Sequence, residues 1–376
     1  MTPVAAPPLP DQKTKGWEFT DLTGLEIDAY APAEGEVEGL GAGSDSLDGP
    51  VVMSLAAAAE QFPEIVERRL GSLVPAGDPF VARNTDAWSQ GAFIYVPKGK
   101  SLDPVQLAVR QLGDRSALNW RVLIVLEEGA EAEVWEHYTS DASAGEELDG
   151  LFNGVVEIFV GAGATLRYIS RQELSDRSWV FGTQRAEVDR DGTLDWVALG
   201  FGSAHGKVRM ETRLAGAGSS ARVTGAYAGN GTQHLDFDTT QEHAAPNTTS
   251  DLAFRGVLTD SATAVWRGMI RVDPGAQQTD AFQESRNLLL SKKSHADAIP
   301  GLEIEANDVR CTHAAAVAQV DAEQLYYLRS RGLGDAEAKG MIIDGFLQEL
   351  VERLAEGPIR DTVSEALETR LAELLA

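Results

Sequence analysis

Cys311 and His313 are the pair of residues in this sequence best suited to binding a metal ion. They stand two positions apart in the segment VRCTHAAAV. If this segment is a β-strand, the two side chains share one face, so the thiolate and the imidazole can converge on one soft or borderline metal. Two ligands do not complete the shell of iron or of an iron–sulfur cluster, so a partner chain or exogenous sulfide would supply the rest. The spacing alone favours the alternative, a small buried cysteine near a hydrogen-bonded histidine.

A second group of polar residues lies in GTQHLDFDTTQEHAAPNTTSD. His234, Asp236 and Asp238 share strand parity, and His243 follows five residues later. This pattern fits a metal site rich in oxygen and nitrogen, or the acid cluster of a β-helix lyase. A lyase would need a basic residue nearby, and Arg255 is the candidate. The favoured interpretation is the polar outer face of a solvated strand.

The charge of the chain excludes several classes of function. Its 58 acidic residues outnumber its 32 basic residues, which gives a formal net charge of −26. Such a chain repels nucleic-acid phosphates and anionic lipid surfaces, so we expect no nucleic-acid partner and no membrane partner. No apolar run reaches the roughly 18 residues of a membrane span. The first residues lack the order of a secretory signal, so we expect a cytoplasmic protein.

Motifs of several enzyme classes are absent from the sequence. There is no GxxxxGK(S/T) phosphate loop, no GxSxG elbow, no HExxH and no GxGxxG between a strand and a helix. We therefore do not expect this chain to hydrolyse ATP. Its single cysteine excludes an internal disulfide, a four-cysteine zinc site and a complete iron–sulfur ligand set from this chain alone.

Three regions of different periodicity must position these residues. Residues 1–90 mix short helical signals with Gly-rich and acidic linkers, residues 91–320 alternate apolar and polar side chains, and residues 321–376 return to a helical period. Alternation over short runs predicts half-buried strands. A similar turn recurs between many runs, at Gly129, Gly163, Gly192, Gly218 and Ser261. This repetition favours the coils of a β-helix over a long meander in a β-sandwich.

Helices are predicted on both sides of the strand-rich region. Residues 52–71 contain good helix formers, and Pro63 is expected to kink or divide that helix. Asp321 is expected to cap the first C-terminal helix, Asp335 to open the second, and Pro358 to separate the second from the third. The apolar stripes of these helices favour packing within the chain over a partner surface.

Three segments between residues 234 and 333 carry a longer pattern. They are HLDFDTTQEHAAPNTTSDLAFRGVL, AQQTDAFQESRNLLLS and IPGLEIEANDVRCTHAAAVAQVDAEQLYYLRSRGL. In this order they resemble the SufBD family of iron–sulfur cluster assembly scaffolds, and most closely its SufD members. GWEFTDL at residues 16–22 also resembles a segment near the start of SufD proteins.

The resemblance implies a fold and a role. The implied fold is mainly β: a right-handed parallel β-helix core flanked by N-terminal and C-terminal α-helical parts. The implied role is that of a non-catalytic scaffold subunit in the SUF system. It would pair with SufB through the β-helix and bind the ATPase SufC through the C-terminal helices, in a complex of one SufB, two SufC and one SufD. ATP would then act only through SufC.

The resemblance also implies which residues hold metal. His313 is the histidine of the family's Cys-x-His segment, and is implied as a ligand of a nascent iron–sulfur cluster shared with a SufB cysteine. Cys311 is the weaker candidate. Ala314, Ala316 and Ala318 depart from the Gly, Thr and Gly of many relatives, which affects the expected local geometry. The single cysteine argues against SufB itself, and binding of a reduced flavin stays open.

Two other interpretations remain. One is a β-helix enzyme acting on acidic polysaccharide, with His234, Asp236 and Asp238 around a metal, although the net charge would repel such a substrate. The other is a purely structural homodimer in which Cys311 and His313 are core residues. Uronate-cleaving activity would support the first, and tolerance of substitution at both residues would support the second.

Overall fold

The protein is a parallel β-solenoid with helical parts at both ends of the chain. A computed structural model describes residues 7–41, 43–44, 46–75, 77–141 and 147–375. Two long β-sheets face each other, and the chain alternates between them so that each coil adds one strand to each sheet. The solenoid makes about eight turns.

Nineteen strands and six α-helices follow one another along the described chain. The strands are β1 Ala31–Pro32, β2 Glu36–Glu38, β3 Val51–Ser54, β4 Gln90–Val96, β5 Val105–Gln111, β6 Ser116–Leu126, β7 Glu131–Ser140, β8 Gly150–Val160, β9 Thr165–Glu173, β10 Trp179–Val188, β11 Thr193–Gly200, β12 His205–Leu214, β13 Ser220–Gly229, β14 His234–His243, β15 Thr249–Leu258, β16 Thr263–Val272, β17 Thr279–Leu289, β18 His295–Ile304 and β19 Val309–Gln319. The helices are α1 Leu55–Gln61, α2 Pro63–Arg69, α3 Pro79–Ala87, α4 Ala322–Ser330, α5 Asp335–Val351 and α6 Pro358–Leu375, and a short 3₁₀ helix spans Ile27–Ala29.

The two ends of the solenoid differ. Even-numbered strands from β4 to β18 form the first sheet, and odd-numbered strands from β5 to β19 form the second. Short antiparallel strands cover the first coil, because β3 pairs with β4 and β2 pairs with β5. No strand in the described part of the chain pairs beyond β18 or β19. One end is therefore covered and the other is bare.

The main core lies between the two sheets. Alternate residues of each strand point inward, as the pleat of a β-strand requires. The largest of these side chains, Trp120, Trp196 and Trp266, are fully buried. Each fully buried large apolar side chain contributes roughly 1.5–3 kcal/mol, so the stacked interior stabilises the coils without a disulfide.

A left-handed residue recurs at one corner of the coils. Gly129, Gly163, Asp191, Gly218, Asn247 and Gln278 have φ between 56° and 76° there. The N–H of each donates to a carbonyl of the next coil, as from Gly129 to Ala162 at 2.8 Å. The predicted turn at Gly192 is thus centred one residue earlier. Ser261 belongs to the opposite corner, where its N–H donates to the Gly231 carbonyl.

The helical parts cover the outer faces of the sheets. Trp17 of the N-terminal segment and Phe80 of α3 pack with Phe181 on the first sheet. Residues of α5 and α6 pack on the second sheet, as Leu350 and Val363 do with its apolar outer side chains. Because both faces are covered, a strand such as β8 is buried along its whole length.

The predicted mainly-β solenoid with flanking helices is confirmed, and its right-handed winding stays a prediction. The helix predicted over residues 52–71 divides at Pro63, which begins α2. Asp321 caps α4 by accepting a hydrogen bond from the N–H of Glu323, and α5 begins at Asp335 as predicted. Among the helices of the described residues, none has the length and hydropathy needed to cross a membrane.

Candidate metal centre

The last coil leaves the interior of the solenoid open. Its strands β18 and β19 continue the inward-facing stacks of β16 and β17. With no described strand beyond them, the inward-facing Leu302, Ile304 and Val317 are 37%, 40% and 43% exposed. The free edge of β19 also presents backbone N–H and C=O groups to a further strand. We call the inward faces of β18 and β19 the open end.

Cys311 and His313 lie on the open end. Cys311 is in register with Ala281 and His313 with Gln283, so both occupy the inward face of β19. Cys311 is half-buried in a small apolar group that includes Ala281. Burial, together with the charge of Asp280, raises the pKa of the Cys311 thiol. The thiol is therefore the less favoured of the two residues as a ligand, because a metal binds the thiolate.

His313 is exposed and free of polar partners. Its ring makes no hydrogen bond or ion pair with any residue that the structure describes. The alternative interpretation, in which His313 is a hydrogen-bonded structural histidine, therefore does not apply. A neutral imidazole offers one nitrogen lone pair to a metal and one N–H to an acceptor.

The ligands on this chain do not complete a metal site. No group of three or more His, Cys, Asp or Glu side chains that could hold a metal occurs among the described residues. Iron and iron–sulfur clusters need more than the two side chains that β19 offers. The described residues at the open end therefore offer too few ligands to hold such a cluster by themselves.

The second group of polar residues lies partly beneath the N-terminal segment. Asp236 is fully buried, and its Oδ2 lies 2.7 Å from Lys207 Nζ and accepts a hydrogen bond of 2.5 Å from Thr20 Oγ1. Lys207 Nζ lies 5.2 Å from the centre of the Trp17 ring. His234, Asp236 and Asp238 do share the outer face of β14, but the solvated surface predicted for them is wrong because the N-terminal segment covers it.

The two histidines of this group have separate partners. His234 Nδ1 lies 2.8 Å from Thr263 Oγ1 on the next strand of the sheet. His243 points to the opposite face, where Nδ1 lies 2.7 Å from Thr248 Oγ1 and Nε2 lies 2.8 Å from Ser250 Oγ. Burial lowers the pKa of His243 to about 4. The four residues do not converge on one metal ion.

The polysaccharide enzyme interpretation is not supported by this arrangement. A catalytic acid must reach substrate, whereas Asp236 is sealed in an ion pair with Lys207. The basic residues beside the cluster include Lys207 and Arg267, whereas Arg255 lies on β15 in the other sheet. Asp238 is 3.9 Å from Arg267, and burial raises the pKa of its carboxyl group.

A second exposed surface lies on the C-terminal helices. Tyr326 and Tyr327 of α4 are 75% and 55% exposed, and Met341 of α5 is 55% exposed. No residue of α4 is buried. Exposed aromatic and methionine side chains are enriched where proteins bind other proteins. The predicted preference for packing within the chain fits α5 and α6 but not α4.

Comparison with known proteins identifies the family. Residues 109–346 match the family described as SUF system FeS cluster assembly, SufBD core domain. Residues 11–107 match the SufBD protein N-terminal region. The chain belongs to the SufBD family. The core match contains β18, β19 and α4, and therefore contains both exposed surfaces.

Curated SufBD relatives align with most of this chain. It is 32% identical over 300 residues to iron–sulfur cluster assembly SufBD family proteins of Staphylococcus aureus strain USA300, Staphylococcus saprophyticus and Staphylococcus epidermidis. Each match covers 79% of this chain and 64% of the relative. The chain thus spans a little under two thirds of the length of these relatives.

Proposed function

We propose that this SufBD protein is a SufD-like, non-catalytic scaffold subunit of the SUF system. It pairs with SufB, and a nascent iron–sulfur cluster forms at their interface. The open end is the observation that carries the proposal, because it places an exposed imidazole, apolar side chains and a free strand edge on one surface. Because the chain belongs to an iron–sulfur cluster assembly family, we take the bound species to be an iron–sulfur cluster.

Pairing with SufB through the last coil would explain two features of the open end: its exposed apolar side chains and its unpaired strand edge. A second solenoid placed against β18 and β19 would cover the apolar side chains of the open end. It would also pair the backbone groups along the free edge of β19, in the manner of β-strand addition. An edge of this kind attracts other chains, so a dedicated partner also protects it.

His313 is the proposed cluster ligand, with Cys311 as the weaker candidate. The His313 ring needs no rearrangement of existing hydrogen bonds before it binds iron. Cys311 must first lose a proton from a thiol whose pKa burial has raised. The missing ligands would come from SufB and from sulfide, so the cluster is held only while the two chains are paired.

The C-terminal helices are the proposed binding surface for SufC. The exposed Tyr326, Tyr327 and Met341 support this part of the proposal. ATP would act only through SufC, and the cytoplasmic location expected from the sequence is retained. ATP-driven movement of α4–α6 would then reach the open end through the strands on which α5 packs.

Anaerobic co-purification with SufB and SufC tests the proposal. The complex is reconstituted with ferrous iron and sulfide, and cluster absorbance is compared between the wild type and His313→Ala. We expect His313→Ala to form the complex but to lose most of the absorbance. His295→Ala is the matched control, because His295 is an exposed histidine on the same coil whose side chain faces Asp297.

Three results would contradict the proposal. If the wild-type chain did not assemble with SufB and SufC, and formed a stable homodimer through the open end, the structural homodimer would be the better interpretation. If His313→Ala and His295→Ala both kept the wild-type absorbance, His313 would not be a ligand. A cluster lost equally in both variants would also count against a specific role for His313.

A further inference from the structure

We propose that Gln283 positions the imidazole of His313 for metal binding, an inference that rests on the proposed function. Gln283 lies on β17, in register with His313 on β19. Paired residues of neighbouring parallel strands project from the same face, with the strands roughly 4.8 Å apart. On the inward face of the second sheet, His313 is therefore the side chain immediately beyond Gln283.

The side-chain amide of Gln283 is held across the interior of the solenoid. Its Nε2 donates to the carbonyl oxygen of Gly268 at 3.3 Å and to that of Gly301 at 3.1 Å, on β16 and β18 of the facing sheet. Because both neighbours are acceptors, the NH₂ group must face them. A Cβ at Gly268 would lie 2.1 Å from Trp266 Cη2 and 2.6 Å from Gln283 Oε1, so the absence of a side chain there leaves space for both groups.

Gln283 Oε1 is a buried acceptor that lacks a donor. Gln283 is fully buried, and no residue in the described part of the chain donates to its Oε1. Buried polar groups without partners are rare, and each calls for an explanation. Here the neighbouring side chain on the same face, His313, has an N–H that no described residue accepts.

A metal-bound histidine supplies the missing donor. When one ring nitrogen of His313 binds iron, the other carries the proton, and such an N–H is almost always donated to an acceptor that fixes the tautomer and the ring orientation. Gln283 Oε1 can accept that N–H while Nε2 keeps its two carbonyl partners. Gln283 does not touch the cluster in this proposal, and it acts through His313 alone.

The test measures how fast the reconstituted complex with SufB and SufC loses its cluster to an iron chelator. Gln283→Leu removes the acceptor and should speed the loss about 10- to 100-fold. Gln283→Glu is isosteric, and in the protonated form that burial favours it keeps one donor for the carbonyl oxygens and one acceptor oxygen for His313, so the loss should stay within about threefold of the wild type. The control is Gln241→Leu, because Gln241 is another buried glutamine of the interior with a free Oε1, on β14 and out of register with His313.

The pattern across variants separates positioning from a structural role. Gln283→Leu with a wild-type cluster lifetime, or Gln283→Glu as impaired as Gln283→Leu, would overturn the inference. If Gln283→Leu did not assemble, Gln283→Met would be measured in its place. Loss of the cluster in His313→Ala but not in Gln283→Leu would refute this inference alone, whereas retention in His313→Ala would refute the proposed ligand itself.

Discussion

Arg255 Nη1 lies 2.7 Å from Glu284 Oε1, and this ion pair joins the neighbouring strands β15 and β17 on the outer face of the second sheet. The Arg255 side chain is 4% exposed, and its Nη2 lies 3.4 Å from Glu349 Oε2 of α5. Glu284 is in register with Ala314, the residue after His313. Two ion pairs therefore connect the C-terminal helices to the strand beside the open end.

Removing Glu284 should destabilise the chain far more than removing Glu349. Glu284→Ala leaves the buried Arg255 charge with one distant and partly exposed partner, and breaking a buried pair costs about 3 kcal/mol or more. Glu349→Gln should cost less than about 1 kcal/mol, because Glu349 is an exposed partner. Urea denaturation of the purified chain measures both values. Equal losses of unfolding free energy in the two variants would show that the burial of Arg255 does not determine how much these ion pairs contribute to stability.

Acidification should destabilise the protein through His243. Burial lowers the pKa of this histidine from 6.5 to about 4. Between these values the unfolded chain binds a proton that the folded chain does not, so the contribution of His243 is complete above pH 6.5 and is lost as the pH falls toward 4. One such group accounts for roughly 2 kcal/mol between pH 7 and pH 5.

Urea midpoints at pH 7 and pH 5 check this dependence on His243. His243→Gln cannot titrate, so its stability should fall by about 2 kcal/mol less over this range than that of the wild type. His295→Gln, at an exposed histidine on β18, is the control variant. An identical slope for His243→Gln and the wild type would contradict the assignment.

Substitution on α4 should weaken SufC binding without unfolding the chain. Tyr326→Ser and Tyr327→Ser remove the two most exposed aromatic side chains of the C-terminal part, and aromatic anchors of this kind typically change affinity about tenfold or more. Exposed substitutions change the free energy of unfolding by only about 0.5 kcal/mol. Titration of SufC against each variant measures the effect, with Lys98→Ser on the first coil as the control. Wild-type affinity in both tyrosine variants would remove α4 from the proposed interface.

The solenoid could be predicted because its strands and corners each carry a short local sequence pattern. Alternating side chains mark the strands, and glycines such as Gly129, Gly163 and Gly218 mark one corner. The same corner position is held by Asp191, Asn247 and Gln278 in other coils. Asp and Asn adopt the left-handed region more readily than other non-glycine residues but are also common elsewhere, and Gln rarely adopts it, so the repeat appeared looser in sequence than it is in space.

The shared face of Cys311 and His313 could be predicted, but the surroundings of the candidate residues could not. Cys311 and His313 are neighbours on one strand, so a two-residue spacing places them on one face. Lys207 forms an ion pair with Asp236 of the adjacent coil, with which it is in register. Gln283 is likewise in register with His313 of the adjacent coil. Thr20 meets Asp236 across 216 residues. Register between coils determines the first two relationships, and the packing of the N-terminal segment on the first sheet determines the third; no local sequence window contains either.

The unlike ends of the solenoid limit how many copies can join. The antiparallel strands β2 and β3 close the first coil, while β18 and β19 leave the last one bare. A solenoid with two bare ends would stack head to tail without limit, as heterologous contacts that do not close produce fibres. With one bare end, two solenoids that meet there leave no third docking position. If solenoids associate through their bare ends, the antiparallel strands at the first coil would therefore be expected to stop the stack at a pair.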